Sequence, residues 1–254
     1  MSQALRHPEI LDIARRDGKV TVEGLASHFG VTLQTIRRDL AELAESGRLD
    51  RVHGGAVLPS GLSNIGYEER RALNTAAKTA IARACAAAIP NDIALFLNIG
   101  TSTEAVARAL VHHENLLVVT NNMNVATILA ANPGCEVVLT GGQLRRADGG
   151  LVGTLATETI RRFKFDLAVI GCSGLDADGD LLDFDLQEVS VSRAILAQSR
   201  RTCLVADQSK LQRHAPARIA SLADLGAFYT DAPLPDGLAA KCADWGTEVV
   251  VATG

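Results

Sequence analysis

Three polar segments of this 254-residue chain each close an apolar run, and their residue types suit one job. Asn98-Ile99-Gly100-Thr101-Ser102-Thr103-Glu104 follows an apolar stretch and leads into a helical pattern from Ala105 to Leu110. Glycine and small hydroxyl residues at a helix start present N–H and O–H donors where the helix dipole favours an anion. Thr120-Asn121-Asn122 and Thr140-Gly141-Gly142 end two further apolar runs. If these runs are strands of one open sheet, the three segments gather at its carboxyl edge, where such sheets bind ligands. A small, phosphate-bearing, hydroxyl-rich molecule fits that edge; three ordinary strand-to-helix turns are the plainer alternative. Lys210, in Asp207-Gln208-Ser209-Lys210, follows another strand end, and Lys78 opens a helix beyond residue 74. Either lysine adds positive charge to the same rim, or is a surface ammonium.

A second group of side chains lies near the amino end. With Ile36 facing a core and about 100° per residue, Arg37 falls at about 100°, Gln34 at about 160°, Arg38 at about 200° and Thr35 at about 260°. Gln34 and Arg38 therefore point outward, flanked by Thr35 and Arg37. Forked guanidinium donors suit guanine edges or phosphate and an amide suits adenine, which is the chemistry of a recognition helix. A solvated helix face with an internal ion pair is the plainer alternative for Arg37-Arg38-Asp39. Asp39, at about 300°, falls toward the core edge and is expected to orient an arginine. Arg51 and His53 stand where a β-wing meets the phosphate backbone or minor groove.

The elements that must hold these groups divide the chain in two. Apolar spacing predicts a first helix over residues 8–16, a second over 22–29 capped by Thr21, and a third over 33–46 capped by Thr32. Helix, short turn and helix followed by two short strands over 49–57 describe a winged helix-turn-helix over residues 1–57. Residues 58–74, with Pro, Gly and Ser and then charge, read as a linker. From 75 to 254, seven short apolar runs (93–98, 116–120, 135–140, 166–171, 202–206, 227–230 and 248–252) alternate with helical segments. That alternation predicts an α/β domain with a largely parallel sheet.

Composition sets the outer bounds. Hydrophobic residues make up 47% and charged residues 21%, the mix of a globular and not a disordered chain. The net charge of −4 does not suggest nucleic acid, but residues 1–60 carry 8 basic and 8 acidic side chains against 17 and 21 in residues 61–254. A neutral segment binds DNA when its cations share a face. No run of 18 apolar residues and no secretory start is seen, so a cytoplasmic protein is expected. Cys85, Cys135, Cys172, Cys203 and Cys242 are scattered without metal-ligand spacing, which predicts core thiols, no structural zinc and no disulfide scaffold.

Several weaker signals resolve on counting. An EF-hand loop starting at Asp176 would need Gly and Glu where Leu181 and Gln187 stand, so Asp178-Gly179 reads as a hairpin turn. His112-His113 reads as a helix end and not as a metal pair. Asp183, Asp185 and Glu188 either bind ligand hydroxyls or cap the helix that follows. No nucleophile elbow or Ser-His-Asp spacing is present, no cofactor is expected, and no metal site is read.

Residues 31–58, VTLQTIRRDLAELAESGRLDRVHGGAVL, resemble the amino-terminal signature of DeoR-type bacterial repressors, with Thr35–Leu40 and Arg51–Ala56 all in place. The resemblance continues through Lys78, Gly100–Ser102 and Asp207–Lys210 and runs nearly end to end. It implies operator double-stranded DNA as partner, read by Gln34, Thr35, Arg37, Arg38, Arg51 and His53, with a homo-oligomer, dimer or tetramer, on inverted repeats. It implies a ribose-5-phosphate-isomerase-like effector domain. It also implies an effector of the glycerol-3-phosphate class at Lys78, Asn98, Gly100, Thr101, Ser102, Thr103, Asn121, Gly141, Gly142, Glu188 and Lys210. The chain departs from the family pattern twice: Asn98 stands where Asp is common, and Ser192 where Lys usually precedes the Arg. Either change points toward a different phosphorylated polyol.

Two classes of function therefore stand. One is a transcriptional repressor whose hold on DNA weakens when a phosphorylated effector binds. The other is a sugar-phosphate isomerase or transferase using the same α/β fold, since acids and a lysine on one rim suit proton transfer. The DNA-binding residues favour the repressor.

Overall fold

Ile10, Leu25, Ile36, Leu40 and Leu43, all at helical spacing, meet in a core of their own. The computed structural model describes residues 3–17, 19–46, 48–52, 54–57 and 67–253. The chain divides into two compact units between residues 65 and 66.

The first unit comprises α1 (Gln3–Asp17), β1 (Lys19–Thr21), α2 (Val22–Phe29), α3 (Leu33–Glu45), β2 (Asp50–Val52) and β3 (Gly55–Val57). Thr21 and Thr32 cap α2 and α3 through their hydroxyls, as the sequence predicts. The wing is an antiparallel sheet in the order β1-β3-β2. Its third strand, β1, is too short to show periodicity in the sequence. Helix α1 starts well before Pro8, which lies inside it. Proline at that position marks a first turn more often than an interior, which is why the added turn is hidden in the sequence.

The second unit begins with α4 (Tyr67–Ala72), α5 (Thr75–Ala87), β4 (Ala94–Leu97), α6 (Thr101–Ala109), β5 (Leu116–Thr120), α7 (Met123–Leu129) and β6 (Cys135–Leu139). A hairpin of β7 (Gln143–Arg145) and β8 (Gly150–Val152) precedes α8 (Thr154–Arg161), β9 (Phe165–Ile170), β10 (Gly174–Leu175) and β11 (Asp180–Asp183). The chain closes with α9 (Leu186–Gln198), β12 (Ser199–Val205), β13 (Ala217–Ser221), β14 (Ala227–Thr230), α10 (Asp236–Trp245) and β15 (Glu248–Val251). A short 3-10 turn, Gln208–Gln212, follows β12.

All seven predicted apolar runs are strands of one sheet in the order β15-β14-β12-β9-β4-β5-β6. Every pairing within it is parallel. Its faces pack two clusters, one around Phe96, Phe165 and Phe228 and one around Ile81, Leu95 and Val118. Runs of Val, Ile and Leu are what strands buried on both faces require. Cys85, Cys203 and Cys242 are buried core thiols, while Cys135 and Cys172 are half-buried.

Two sequence expectations are corrected by the structure. Residues 67–72, expected within the linker, form α4 and belong to the second unit; one charged turn of helix has no periodicity to display. Residues 58–66 lie outside the described residues. His113, expected to end a helix, lies beyond α6 and its ring nitrogen meets the carbonyls of Ala86 and Ile89.

Candidate functional sites

On the first unit, Thr32 Oγ1 accepts the N–H of Thr35 at 3.2 Å and lies 2.9 Å from the Thr35 hydroxyl. Thr35 is thus tied into the cap at the start of α3 and half-buried. Gln34, Arg37 and Arg38 are exposed, and with Thr32, Thr35 and Arg51 of β2 they line one hollow of about 640 Å³. Helix and wing therefore contribute to a single surface. Arg38 leans on Glu42 one turn along at 3.2 Å, an exposed pair that a phosphate or base edge displaces at small cost. His53, the other wing residue expected to meet DNA, lies outside the described residues.

Asp39 turns inward, as its angle predicts. Arg6 of α1 donates to it twice, Nε to Oδ2 at 2.7 Å and Nη2 to Oδ1 at 3.1 Å. Both side chains are buried. The pair ties α1 to α3, and the extra amino-terminal turn of α1 is what delivers Arg6.

On the second unit, parallel strands bring the loops after β4, β5 and β6 to one edge of the sheet. Gly100, at φ +142°, is the N-cap of α6, a conformation that favours glycine. No side chain caps this helix; Thr103 Oγ1 instead donates back to the Gly100 carbonyl at 2.7 Å. The first N–H groups of α6, at Thr101 to Thr103, are those that a helix leaves without partners of its own. Ser102, Thr103 and Glu104 are buried there. Asn98 donates Nδ2–H to Ser192 Oγ at 3.0 Å and accepts the Ile99 N–H at 2.6 Å.

Asn121 donates to the Leu151 carbonyl, while its Oδ1 is buried without a partner among the described residues. Glu188 is 3% exposed, and neither of its carboxyl oxygens has a hydrogen-bond partner among them. Burial pushes its pKa up to about 8 against the pull of Arg145, whose Nη2 lies 3.7 Å away. Nearby Asp183, Asp148 and Asp185 push in the same direction as burial. Asp185 caps α9 by accepting the Gln187 N–H, and Asp183 accepts the N–H groups of Phe184 and Asp185. Of the three acids only Asp185 caps the helix; Asp183 accepts from neighbouring backbone and from Ser173, and Glu188 has neither role.

The two lysines also separate. Lys78 is buried, and its ammonium donates to the carbonyls of Arg70 and Leu73 at the end of α4. Two of its three N–H donors are thus spent at a helix terminus, and its burial removes the alternative of a surface ammonium. Lys210 sits in the 3-10 turn held by Asp207, which accepts the N–H and O–H of Ser209 and the Nδ2–H of Asn74. Burial, helped by the positive charges of Arg213 and Arg70, lowers the Lys210 pKa to about 8. Burial raises the Asp207 pKa, yet the Ser209 hydrogen bonds and the Lys210 charge hold it below the ordinary carboxylate range.

Gly141 and Gly142 fall on the hairpin side. Added Cβ atoms would meet Leu155 at Gly141, and the Val152 carbonyl at 2.6 Å at Gly142. Both serve the turn out of β6.

Three residues that sequence reasoning did not single out join this edge: Arg70, Arg145 and Arg213. Arg145 Nε and Nη2 grip Asp148 at 3.0 and 2.7 Å while Nη1 reaches Asp185 at 2.6 Å. Arg213 lies over the Phe184 ring at 5.9 Å. The signal in the sequence was the run of Arg and Asp through the β7–β8 hairpin, which has meaning only once the hairpin folds over β5, where Leu151 N–H meets the Asn121 carbonyl at 2.7 Å.

A winged helix-turn-helix with an outward basic face, joined in one chain to an α/β unit with this polar edge, defines a DNA-binding regulator that senses a small molecule. Residues 6–61 match the DeoR-like helix-turn-helix domain and residues 73–232 the DeoR C terminal sensor domain. The chain belongs to the DeoR family. It is 46% identical over 235 residues to the glycerol-3-phosphate regulon repressor of Escherichia coli (strain K12), covering 92% of this chain and 93% of that one. It is 42% identical over 254 residues to the Haemophilus influenzae protein of the same name, covering 100% of this chain and 99% of that one. Ribose 5 phosphate isomerase A from Neisseria gonorrhoeae matches 53% of this chain and 52% of its own, at 13% identity and a TM-score of 0.38, too low to carry a chemical role across. No described helix is long and apolar enough to cross a membrane.

Proposed function

We propose that this regulator is a repressor of a polyol catabolic operon, released from its operator by glycerol 3-phosphate. The observation that carries the effector reading is the pairing of two chemistries at one sheet edge. An uncapped α6 amino terminus suits a phosphate, and so does Lys210, which feels the charge of the same Arg70 whose carbonyl accepts from Thr101 of α6. Glu188, which keeps its proton at pH 7, and the orphan Asn121 Oδ1 suit hydroxyl groups. A short phosphorylated polyol satisfies both ends, and a neutral acid can donate as well as accept. The names of the relatives at 46% and 42% identity support the same ligand.

On the DNA side, Gln34, Arg37 and Arg38 enter the major groove while Arg51 and His53 hold the backbone beside it. Two copies bind the two halves of an inverted repeat, so the working form is an even-numbered oligomer in the cytoplasm. Release requires the effector to bind the DNA-incompetent arrangement better, with a coupling of about 1–3 kcal/mol. We infer binding without turnover, because the relatives that match this chain along nearly its whole length are named repressors. Isothermal titration of the full chain with glycerol 3-phosphate, free glycerol and inorganic phosphate tests the effector. Tight binding of the first, weak binding of the third and none of the second is expected; equal affinity for glycerol and its phosphate would overturn the assignment.

A further inference from the structure

Helix α4 is the first element of the sensor unit after the stretch that leads from the DNA-binding unit, and it is tied down by its side chains. Tyr67 donates its hydroxyl to Glu104 at 3.0 Å and accepts from Asn124 at the same distance. Arg70 reaches Asp148 through Nη2 at 3.4 Å, a long contact, while its buried Nε has no partner among the described residues. Its carbonyl accepts from the Lys78 ammonium and from Thr101 Oγ1, the first residue of α6. Arg70 is thus bonded through its backbone to the proposed phosphate cradle and only loosely held through its guanidinium.

Arg70 also stands among cations. Its charge lowers the pKa of both Lys210 and Arg213, and Arg213 in turn lowers that of Lys210. Three positive groups gathered this closely form a site that a dianion relieves. Asp148, the present partner of Arg70, does not need it: Arg145 already holds both its oxygens at 3.0 and 2.7 Å. Losing Arg70 therefore leaves no orphaned carboxylate.

We propose that Arg70 is a further ligand for the effector's phosphate, and that its move from Asp148 to the phosphate shifts α4 and so transmits effector binding toward the DNA-binding unit. This rests on the effector site proposed above. Lys210 shares the phosphate but lies on a turn remote in sequence from α4, so it contributes affinity alone. Arg70 contributes affinity and coupling.

The test uses full-length wild type, Arg70→Gln, Arg70→Lys and Lys210→Gln, with glycerol 3-phosphate affinity by calorimetry and operator affinity by fluorescence anisotropy with and without saturating effector. Both glutamine variants are expected to bind the effector at least about tenfold more weakly. At saturation Lys210→Gln still releases DNA, whereas Arg70→Gln binds DNA equally with and without effector. Arg70→Lys, which keeps the charge and guards against a folding defect, recovers part of the affinity. Wild-type release from a saturated Arg70→Gln, or unchanged effector affinity in it, would overturn the proposal. If wild type ignores glycerol 3-phosphate, the effector assignment fails by itself. The role of Arg70 is then read from inorganic phosphate, which should raise the Tm of wild type and not of Arg70→Gln; equal shifts would sink it.

Discussion

Asn98 Nδ2 donates to Ser192 Oγ at 3.0 Å, so the two positions where this chain departs from the DeoR pattern touch each other. The pattern often carries Asp at the first and usually Lys at the second. The contact is a neutral hydrogen bond between two buried side chains. The two departures are therefore expected to act on this chain together and not independently.

A double-mutant cycle checks this. Asn98→Asp or Ser192→Lys alone buries an uncompensated charge and should cost about 3–5 kcal/mol by denaturant unfolding. The double substitution restores a pair and should recover at least about 1 kcal/mol of the summed loss. Strict additivity would show that the two residues are not coupled.

Arg38→Ala should weaken operator binding by about 1–3 kcal/mol, roughly 5- to 150-fold, and leave effector affinity unchanged. Arg38 is exposed and pairs with Glu42 at the surface, so its removal should not lower the Tm measurably. Arg51→Ala removes a backbone contact instead, so it should weaken binding to all DNA sequences alike and reduce the salt dependence. Anisotropy on the operator and on scrambled DNA at two salt concentrations separates them.

Asp39→Ala should act on stability and through it on DNA binding. It leaves Arg6 charged and without its two carboxylate hydrogen bonds, which should lower the stability of the first unit. Calorimetric melting should show the amino-terminal transition falling while the sensor transition stays. A normal amino-terminal melt with lost DNA binding would instead make Asp39 a contact residue.

Glu188 and Lys210 set two separate pH dependences, one of stability and one of phosphate affinity. The Glu188 pKa is raised from 4.5 to about 8, so between those values the folded protein holds a proton that the unfolded chain has released. Stability should therefore fall as pH rises across that window and level off above it. Glu188→Gln, which mimics the protonated acid, should flatten the slope. Lys210, with its pKa lowered from 10.5 to about 8, loses its charge as pH rises through about 8. Phosphate affinity should drop in the same range, and Lys210→Arg should carry it to higher pH. Chemical unfolding and calorimetry from pH 5 to 9 read the two effects separately.

The seven-stranded sheet was legible because strands buried on both faces must be apolar runs, and each run became a strand. Thr21 and Thr32 marked the helix starts because a hydroxyl before an apolar period satisfies the free N–H groups. What stayed hidden was short or long-range. Helix α4 offers only Tyr67–Ala72, too few residues for a period, and its role comes from contacts to Glu104 and Asp148 far along the chain. Lys78 and Lys210 have equal chemistry in sequence; only the fold fills the donors of one with carbonyls. Arg6 is invisible as the partner of Asp39 because 33 residues separate them.

The central claim is that a phosphorylated polyol loosens this protein from its operator. Fluorescence anisotropy of the full chain on its upstream promoter DNA, titrated with glycerol 3-phosphate and with free glycerol, tests it most directly. Release by the phosphate at concentrations where glycerol has no effect is the predicted result, with a loss of roughly 5- to 150-fold in DNA affinity. Binding to that DNA that neither compound changes, in protein shown by calorimetry to hold glycerol 3-phosphate, would contradict it.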